Sequence, residues 1–238
     1  MENKIPKLVH LTYKSENELP DHWRKSLEKW KDYGWEVMFH TDEDNDNLIK
    51  NDYPWLLEKY NNFKYFISKV DLARVCYLHK WGGVYSDLDL RPSKNFYDEI
   101  KNEELCFCES SFGHNYTNEF MCGEKGHPFW IDLMNEIKVY PPWWAFTKHF
   151  KVMSTSGPFV LDGLVKKTKY NYKILGNDWI SCNVCSTNKC KIGKLIKVEG
   201  QSWNSWDSLL LNKLYCYRFY LMILFIFFVI YVIKKIRR

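Results

Sequence analysis

The sequence predicts an α/β sandwich that leads into one membrane-spanning helix. Three observations predict it. Strand-like and helix-like apolar patterns alternate from the amino terminus, a glycine pair at 82–83 joins a long helical stripe to an apolar strand, and an uncharged apolar run lies near the carboxyl end. Lys7–Tyr13 (KLVHLTY), after Pro6, reads as a first strand. In Pro20–Lys31, Trp23, Leu27 and Trp30 fall at helical spacing, and Trp35–His40 (WEVMFH) is a second strand. The run TDEDNDN (41–47) is expected as a polar loop before a helix, so that strand, helix, strand, helix opens the sandwich. Phe66, Val70, Ala73 and Tyr77 form the stripe of the next helix, with Asp71 and Arg74, three apart, as neighbours on another part of its surface. Gly82-Gly83 can end that helix in a left-handed conformation. In VYSDLDL (84–90), read as a strand, a period of two puts Tyr85, Asp87 and Asp89 on one face and Val84, Leu88 and Leu90 on the other. Leu105–Cys108 is a further strand and His127–Ile137 a helix. Pro141–Phe146 is aromatic and irregular, 152–165 a loop running through Gly157-Pro158 into a helix, and 199–207 a polar, Trp-rich loop.

The uncharged run Phe219–Ile233 holds fifteen residues, which as a helix span roughly 22 Å. Extension back to Leu214 gives twenty residues and matches the hydrocarbon thickness of roughly 30 Å. Arg218 then snorkels to the headgroups, and Tyr215, Tyr217, Tyr220 and Tyr231 sit near the two ends, where interfacial aromatics belong. Two parts are expected, a domain over 1–212 and a transmembrane helix with a basic tail over 213–238. The terminal KKIRR favours the cytoplasmic side, whereas the first residues lack the apolar core of a signal peptide and would keep the body cytosolic. Orientation stays open. The expectation is a single-pass, C-terminally anchored protein of an endomembrane (ER or Golgi) or a viral membrane.

Charge excludes one class. The 238 residues carry 34 Lys+Arg and 29 Asp+Glu, but six of the basic residues and no acidic one lie in 213–238. The body, with 28 basic and 29 acidic residues, is neutral, unlike a nucleic-acid-binding domain. An aromatic content of 18% suits a large core rather than a disordered chain.

Asp-x-Asp occurs three times, at 42/44, 44/46 and 87/89. The first two lie in a solvated acidic run. The third lies in an apolar strand, where two negative charges are unfavourable without a cation. Mg²⁺ or Mn²⁺ takes carboxylate oxygens and shares its remaining shell with phosphate. The alternative is a structural pair satisfied by Arg74 or Arg91.

IPKLVHLTYK, SKVDLARVCYLHKWGGVYSDLDL, STSGPF and GQSW together resemble the glycosyltransferases of family 32, named for the DXD sugar-binding motif. That group includes fungal mannosyltransferases, catalytic subunits of inositol-phosphoceramide mannosyl transfer, and relatives of the clostridial glucosylating toxins. The resemblance covers about residues 5–207. It implies a GT-A fold, a Rossmann-like α/β sandwich, and a retaining transfer of a hexose from a nucleotide-sugar with Mn²⁺ or Mg²⁺. By position, Asp89 resembles the carboxylate directly on the metal and Asp87 the one shared among ribose, sugar and metal water. Asp71 and Arg74 resemble the pair that holds the donor sugar and its phosphate. Tyr13 stands where relatives stack an aromatic on the base, Tyr85 is implied near the nucleoside, and Asn118 resembles an Asn bordering the sugar. Ser202 and Trp203 resemble a loop that closes over the diphosphate. Glu199, three before Ser202, has the spacing of a second metal-side carboxylate in the toxin branch, although Trp203 follows one residue sooner than there. The implied partners are a GDP-mannose or UDP-hexose donor, a lipid-linked or glycan acceptor and the bilayer. Two other functions compete, a non-catalytic sugar-binding scaffold and a metal-dependent phosphohydrolase. Cys182, Cys185 and Cys190 resemble part of a zinc site whose fourth ligand is not evident.

Overall fold

The structure, a computed structural model, describes residues 3–110, 115–181, 193–198 and 206–236. The opening is as predicted: β1 (Leu8–Thr12), α1 (Asp21–Asp32), β2 (Glu36–His40), α2 (Asp42–Asp52) and α3 (Leu57–Asn61). Helix α4 (Phe66–Trp81) then leads into β3 (Gly83–Ser86) and β4 (Leu90–Pro92). Strands β5 (Leu105–Glu109) and β6 (Tyr116–Gly123) precede α5 (Pro128–Glu136), α6 (Lys148–Thr155) and α7 (Pro158–Val165). Short strands β7 (Lys173–Leu175), β8 (Ile180–Ser181) and β9 (Leu195–Lys197) come before the long α8 (Trp206–Ile236).

The main sheet has the order β2-β1-β3-β6-β5-β7. Strand β1 is parallel to β2 and β3, and β6 runs antiparallel to both of its neighbours. A small sheet, β4-β9-β8, stands beside it. Alternation along the strands loads both faces of the main sheet. Tyr85, Phe107 and Met121 join a core beneath α4, α5 and α7, while Val84, Cys106 and Phe120 join a second core beneath α1 with Trp30 and Trp35. Helices thus cover both faces, the α/β sandwich predicted.

The glycine pair is required by close approach. Gly82 has φ 69° and Gly83 φ 94°, both left-handed. A Cβ on Gly83 would run into the Leu8 carbonyl oxygen, and one on Gly82 would lie 2.6 Å from the Lys125 backbone nitrogen. Side-chain-free backbone lets β3 lie against β1 directly after α4.

Several expectations change. The acidic run 42–47 is the start of α2, not a loop. Thr41 accepts from the Asp44 amide while the Asp44 carboxylate accepts from the Thr41 amide, a capping box at the positive helix end. Residues 152–155 are the last turns of α6 rather than a loop. The strand expected over 84–90 stops at Ser86. Residues 87–89 form a turn, closed by Leu90 N–H donating to the Asp87 carbonyl at 3.0 Å, and β4 departs into the small sheet. Helix α8 begins at Trp206, so the last two residues of the loop expected over 199–207 are already helix.

Under the main sheet, His10 Nε2 lies 2.8 Å from the Gly82 carbonyl and His10 Nδ1 lies 3.0 Å from His40 Nε2. The carbonyl only accepts, so His10 carries its proton on Nε2 and accepts from His40 at Nδ1. The His40 ring stacks on Tyr77, centroids 3.9 Å apart. Burial, and for His10 also the neighbouring His40, pushes the two values down to about 3 (His10) and about 4 (His40) from the ordinary 6.5. Below pH 6.5 the unfolded chain takes protons that the folded chain refuses. The pair therefore leaves stability intact above pH 6.5 and withdraws it as pH falls through that value toward 4. In thermal melts of the full-length protein, His40→Gln is expected to melt lower at pH 7.5 but to lose less Tm between pH 6.5 and pH 4.5 than wild type. Parallel slopes would remove the histidines as the cause of acid sensitivity.

Candidate active site

The site forms where α4, the 87–89 turn and β6 meet. Arg74 is its centre, 4% exposed. Its Nη2 pairs with Asp71 at 3.1 Å, Nη1 donates to the Asn118 carbonyl at 2.8 Å, and Nη1 lies 3.5 Å from Asp87 Oδ1. The guanidinium sits over the Tyr85 ring, 4.4 Å from its centroid. Tyr85 Oη donates to Asp87 Oδ1 at 2.6 Å. One turn along α4, Asp71 also accepts from Ser156 Oγ (2.7 Å) and Asn118 Nδ2 (3.1 Å). Asp71 is thus fixed by three donors in the interior. Burial nevertheless raises its pKa to about 6, against the lowering effect of Arg74.

Strand β6 supplies the residues that complete the site. Its pairing with β5 jumps from Phe107↔Met121 to Cys108↔Thr117, so 118–120 bulge from that partner. Its pairing with β3 continues, with Ser86 opposite Phe120 and Asp87 N–H donating to the Glu119 carbonyl at 2.8 Å. The bulge aims Asn118 at Asp71 and Glu119 at the aspartates, a usual service of bulges beside active sites.

Asp87, Asp89 and Glu119 each offer an oxygen within 4.8 Å of the others. Lys197 on β9 donates to Glu119 Oε2 at 2.5 Å and lies 3.8 Å from Asp89 Oδ2. Val198 N–H donates to the Asp89 carbonyl at 2.7 Å, which ties the end of β9 to the turn. Burial raises the Asp89 pKa to about 7, opposed by Lys197 and reinforced by Asp87. Burial would lower Lys197, but Glu119 and Asp89 hold it above its ordinary value.

These residues fit a divalent cation. Asp89 Oδ1 is buried and has no hydrogen-bond partner among the described residues, an arrangement that is unfavourable until something positive meets it. The donors are all carboxylate oxygens, the set for a hard cation. The four carboxylates of Asp71, Asp87, Asp89 and Glu119 face the two cations Arg74 and Lys197, leaving the negative charge that a divalent ion balances.

A cavity of about 1150 Å³ opens from this cluster. Tyr13 lines it and meets Trp23 edge-on, ring centroids 5.3 Å apart. Its lining also includes the apolar or aromatic Phe150, Phe159, and Leu211, Leu214 and Tyr215 of α8. Among the described residues the structure brings together Tyr13, Asp71, Arg74, Tyr85, Asp87, Asp89 and Asn118. Tyr85 is almost wholly buried under Arg74 and works through Asp87. Glu199, Ser202, Trp203 and the cysteines at 182, 185 and 190 lie outside the described residues. Glu119, Ser156 and Lys197 were not singled out from sequence. The available signal was Glu119 as the charged residue of β6, directly after Asn118 and before the apolar Phe120-Met121.

Residues 20–107 match the glycosyltransferase sugar-binding region containing the DXD motif, which here runs from α1 to the middle of β5. The chain is 29% identical over 213 residues to mannosyl phosphorylinositol ceramide synthase SUR1 of Saccharomyces cerevisiae, covering 88% of this chain and 54% of that protein. It is 33% identical over 164 residues to inositol phosphoceramide mannosyltransferase 3 of Schizosaccharomyces pombe, covering 66% of this chain and 44% of that protein. The chain therefore spans about half the length of the curated relatives it matches. Among solved structures, the glycosyltransferase PaToxG aligns over 70% of each chain at 14% identity with a TM-score of 0.49. Residues 20–107 thus carry a glycosyltransferase sugar-binding region of the DXD type, and the chain as a whole is similar to fungal inositol phosphoceramide mannosyltransferases.

Proposed function

We propose that the chain is a metal-dependent, retaining hexosyltransferase that moves a sugar, mannose favoured, from a nucleotide-sugar to a lipid-linked acceptor at a bilayer surface. One observation carries the reading: a single cavity is lined both by the carboxylate cluster and by the first turns of α8. The relatives named for mannosyl transfer to inositol phosphoceramide favour GDP-mannose and a lipid acceptor.

The residues divide the work by chemistry. Arg74, held by Asp71, Asn118 and Asp87, presents a fixed positive charge to the donor's sugar and phosphate. Asp87, Asp89 and Glu119 would hold the metal, which supplies positive charge to the departing nucleoside diphosphate when bound. Lys197 holds the carboxylates together and competes with the metal for them. Tyr13 offers its ring to the base, and Trp23 braces it edge-on.

Helix α8 supports the membrane part of the reading. Its most apolar eighteen-residue stretch, within Trp206–Ile233, has mean hydropathy 2.3 and is unburied. The 28 residues of Trp206–Ile233 rise roughly 42 Å, more than the hydrocarbon core of about 30 Å. With the domain boundary placed at 212/213, the first two turns lie at headgroup depth and wall the cavity together with Leu214 and Tyr215, so its mouth opens among the headgroups. A lipid acceptor meets the site there at high effective concentration.

Three measurements test this. In Mn²⁺ titrations read by electron paramagnetic resonance, Glu119→Gln should weaken binding by roughly 10-fold or more, and Asp89→Asn should abolish both binding and donor turnover without loss of fold. Full turnover of Asp89→Asn, or of wild type in excess chelator, would refute the metal assignment. Lys197→Met should bind Mn²⁺ more tightly than wild type in the absence of nucleotide, since a competing cation is gone. Weaker binding would make Lys197 a support for the site rather than a competitor.

The third uses full-length protein in vesicles with GDP-mannose, UDP-glucose, UDP-galactose and UDP-N-acetylglucosamine, following the product. Transferred or hydrolysed sugar is expected, with GDP-mannose preferred. No turnover with any donor would favour a scaffold, and free phosphate alone a phosphohydrolase. Leu211→Lys on the cavity wall should reduce transfer to lipid acceptors by roughly tenfold, about the effect of one lost apolar side-chain contact, while donor hydrolysis persists. Equal loss of both reactions would place Leu211 in folding rather than acceptor binding.

A further inference from the structure

The segment between α5 and α6 exposes aromatic rings that neither core uses. Tyr140 is 82% exposed, Trp143 86% and Phe146 76%. The segment is nevertheless built. Ala145 N–H donates to the Pro142 carbonyl at 3.0 Å and Phe146 N–H to the Trp144 carbonyl at 3.1 Å. Ala145 points inward and is buried, while Trp144 meets Phe150 edge-on at 6.4 Å. Thr147 then caps α6, its Oγ1 accepting from Phe150 N–H. The folded backbone thus turns Trp143 and Phe146 outward from a fixed base. Exposed rings in a row are unfavourable in water and mark an interaction surface.

The position of the loop selects its partner. Helix α6, which begins two residues after Phe146, is fastened to the first turn of α8. His149 N–H donates to Asp207 Oδ2 at 2.9 Å, and His149 Nδ1 lies 3.0 Å from Ser208 Oγ. Trp206, next to Asp207, is itself 76% exposed. Three residues separate Phe146 from His149, so at most about 10 Å of backbone divides the aromatic loop from the clasp on α8. The loop is therefore continuous with the point where α8 leaves the domain for the bilayer. Trp and Tyr are the residues that settle at the headgroup level, and Lys138, Lys148 and Lys151 flank the loop with the charge that an anionic leaflet attracts.

We propose that the loop 140–146 is a second membrane contact, inserting Trp143 and Phe146 into the interfacial layer of the leaflet that α8 enters. This rests on α8 spanning the bilayer. A single helix leaves the domain free to rotate about its axis. A second contact on α6, whose Phe150 and Met153 line the cavity, removes that freedom and holds the cavity mouth against the lipid.

The test uses full-length protein in vesicles of anionic phospholipid, with and without lipids brominated just below the headgroup. The emission of one tryptophan is obtained as wild type minus its Phe variant, for Trp143→Phe and, separately, Trp206→Phe. Both changes are at exposed positions, and retained Mn²⁺ binding verifies the fold. Brominated lipid is expected to quench the Trp143 emission by half or more, as it quenches that of Trp206. Quenching of Trp206 without Trp143 would overturn the loop proposal and leave α8 in the membrane. Quenching of neither would overturn both. Trp143 shielded from aqueous iodide yet unaffected by brominated lipid would assign the loop to a protein contact, and that result too would overturn the proposal.

Discussion

The guanidinium of Arg74 lies buried between α4 and the main sheet, with Asp71 on one side, Asp87 on the other, the Asn118 carbonyl in line with Nη1 and the Tyr85 ring beneath it. A charge in that position is tolerable only when it is paired and hydrogen-bonded, and removing one partner from such a network typically costs about 3–5 kcal/mol. The consequence is geometric. Arg74 ties the helix that carries it to the turn that carries the DXD aspartates and to the bulged strand β6, so the three pieces of the site hold one arrangement. Ser156, at the end of α6, adds a fourth through Asp71.

The negative charge that gathers around Arg74 follows from the same constraint. The turn at 87–89 exists because the chain must leave the main sheet at Ser86 and enter the small sheet at Leu90. That exit places Asp89 opposite β9 and brings Lys197 to Asp89 and Glu119. A lysine can hold such a pair together but offers one charge. The buried, unpartnered Asp89 Oδ1 is where a divalent ion has something further to satisfy. The small sheet is thus part of the site's electrostatics as well as its scaffold.

Helix α8 links this chemistry to a surface. Its first turns are clasped to α6 through Asp207 and Ser208 and also wall the cavity, whereas its most apolar stretch beyond is unburied. One helix therefore serves both as cavity wall and as the apolar segment suited to a bilayer.

The sequence by itself determined the α/β architecture, the helix 66–81 with its glycine stop, and the apolar carboxy-terminal segment, because each is written in a local period: 3.6 residues for a helix, two for a strand, an unbroken apolar run for a span. It also pointed to Asp71, Arg74, Asp87 and Asp89, which lie in the matched region, and through a wider resemblance to Tyr13 and Asn118 on either side of it. Only the tertiary structure decided that 87–89 is a turn, since period two fits a continuous strand equally well until β4 is seen pairing with β9. It alone decided that Glu119 completes the carboxylate cluster, because that depends on a bulge against β5 and on the register of β6 against β3, a strand more than thirty positions away in the chain. The same holds for Ser156 and Lys197, which reach Asp71 and Asp89 across 85 and roughly a hundred positions. Nothing in a local pattern encodes such pairings, for they arise only when α4, the turn and β6 are brought together around Arg74.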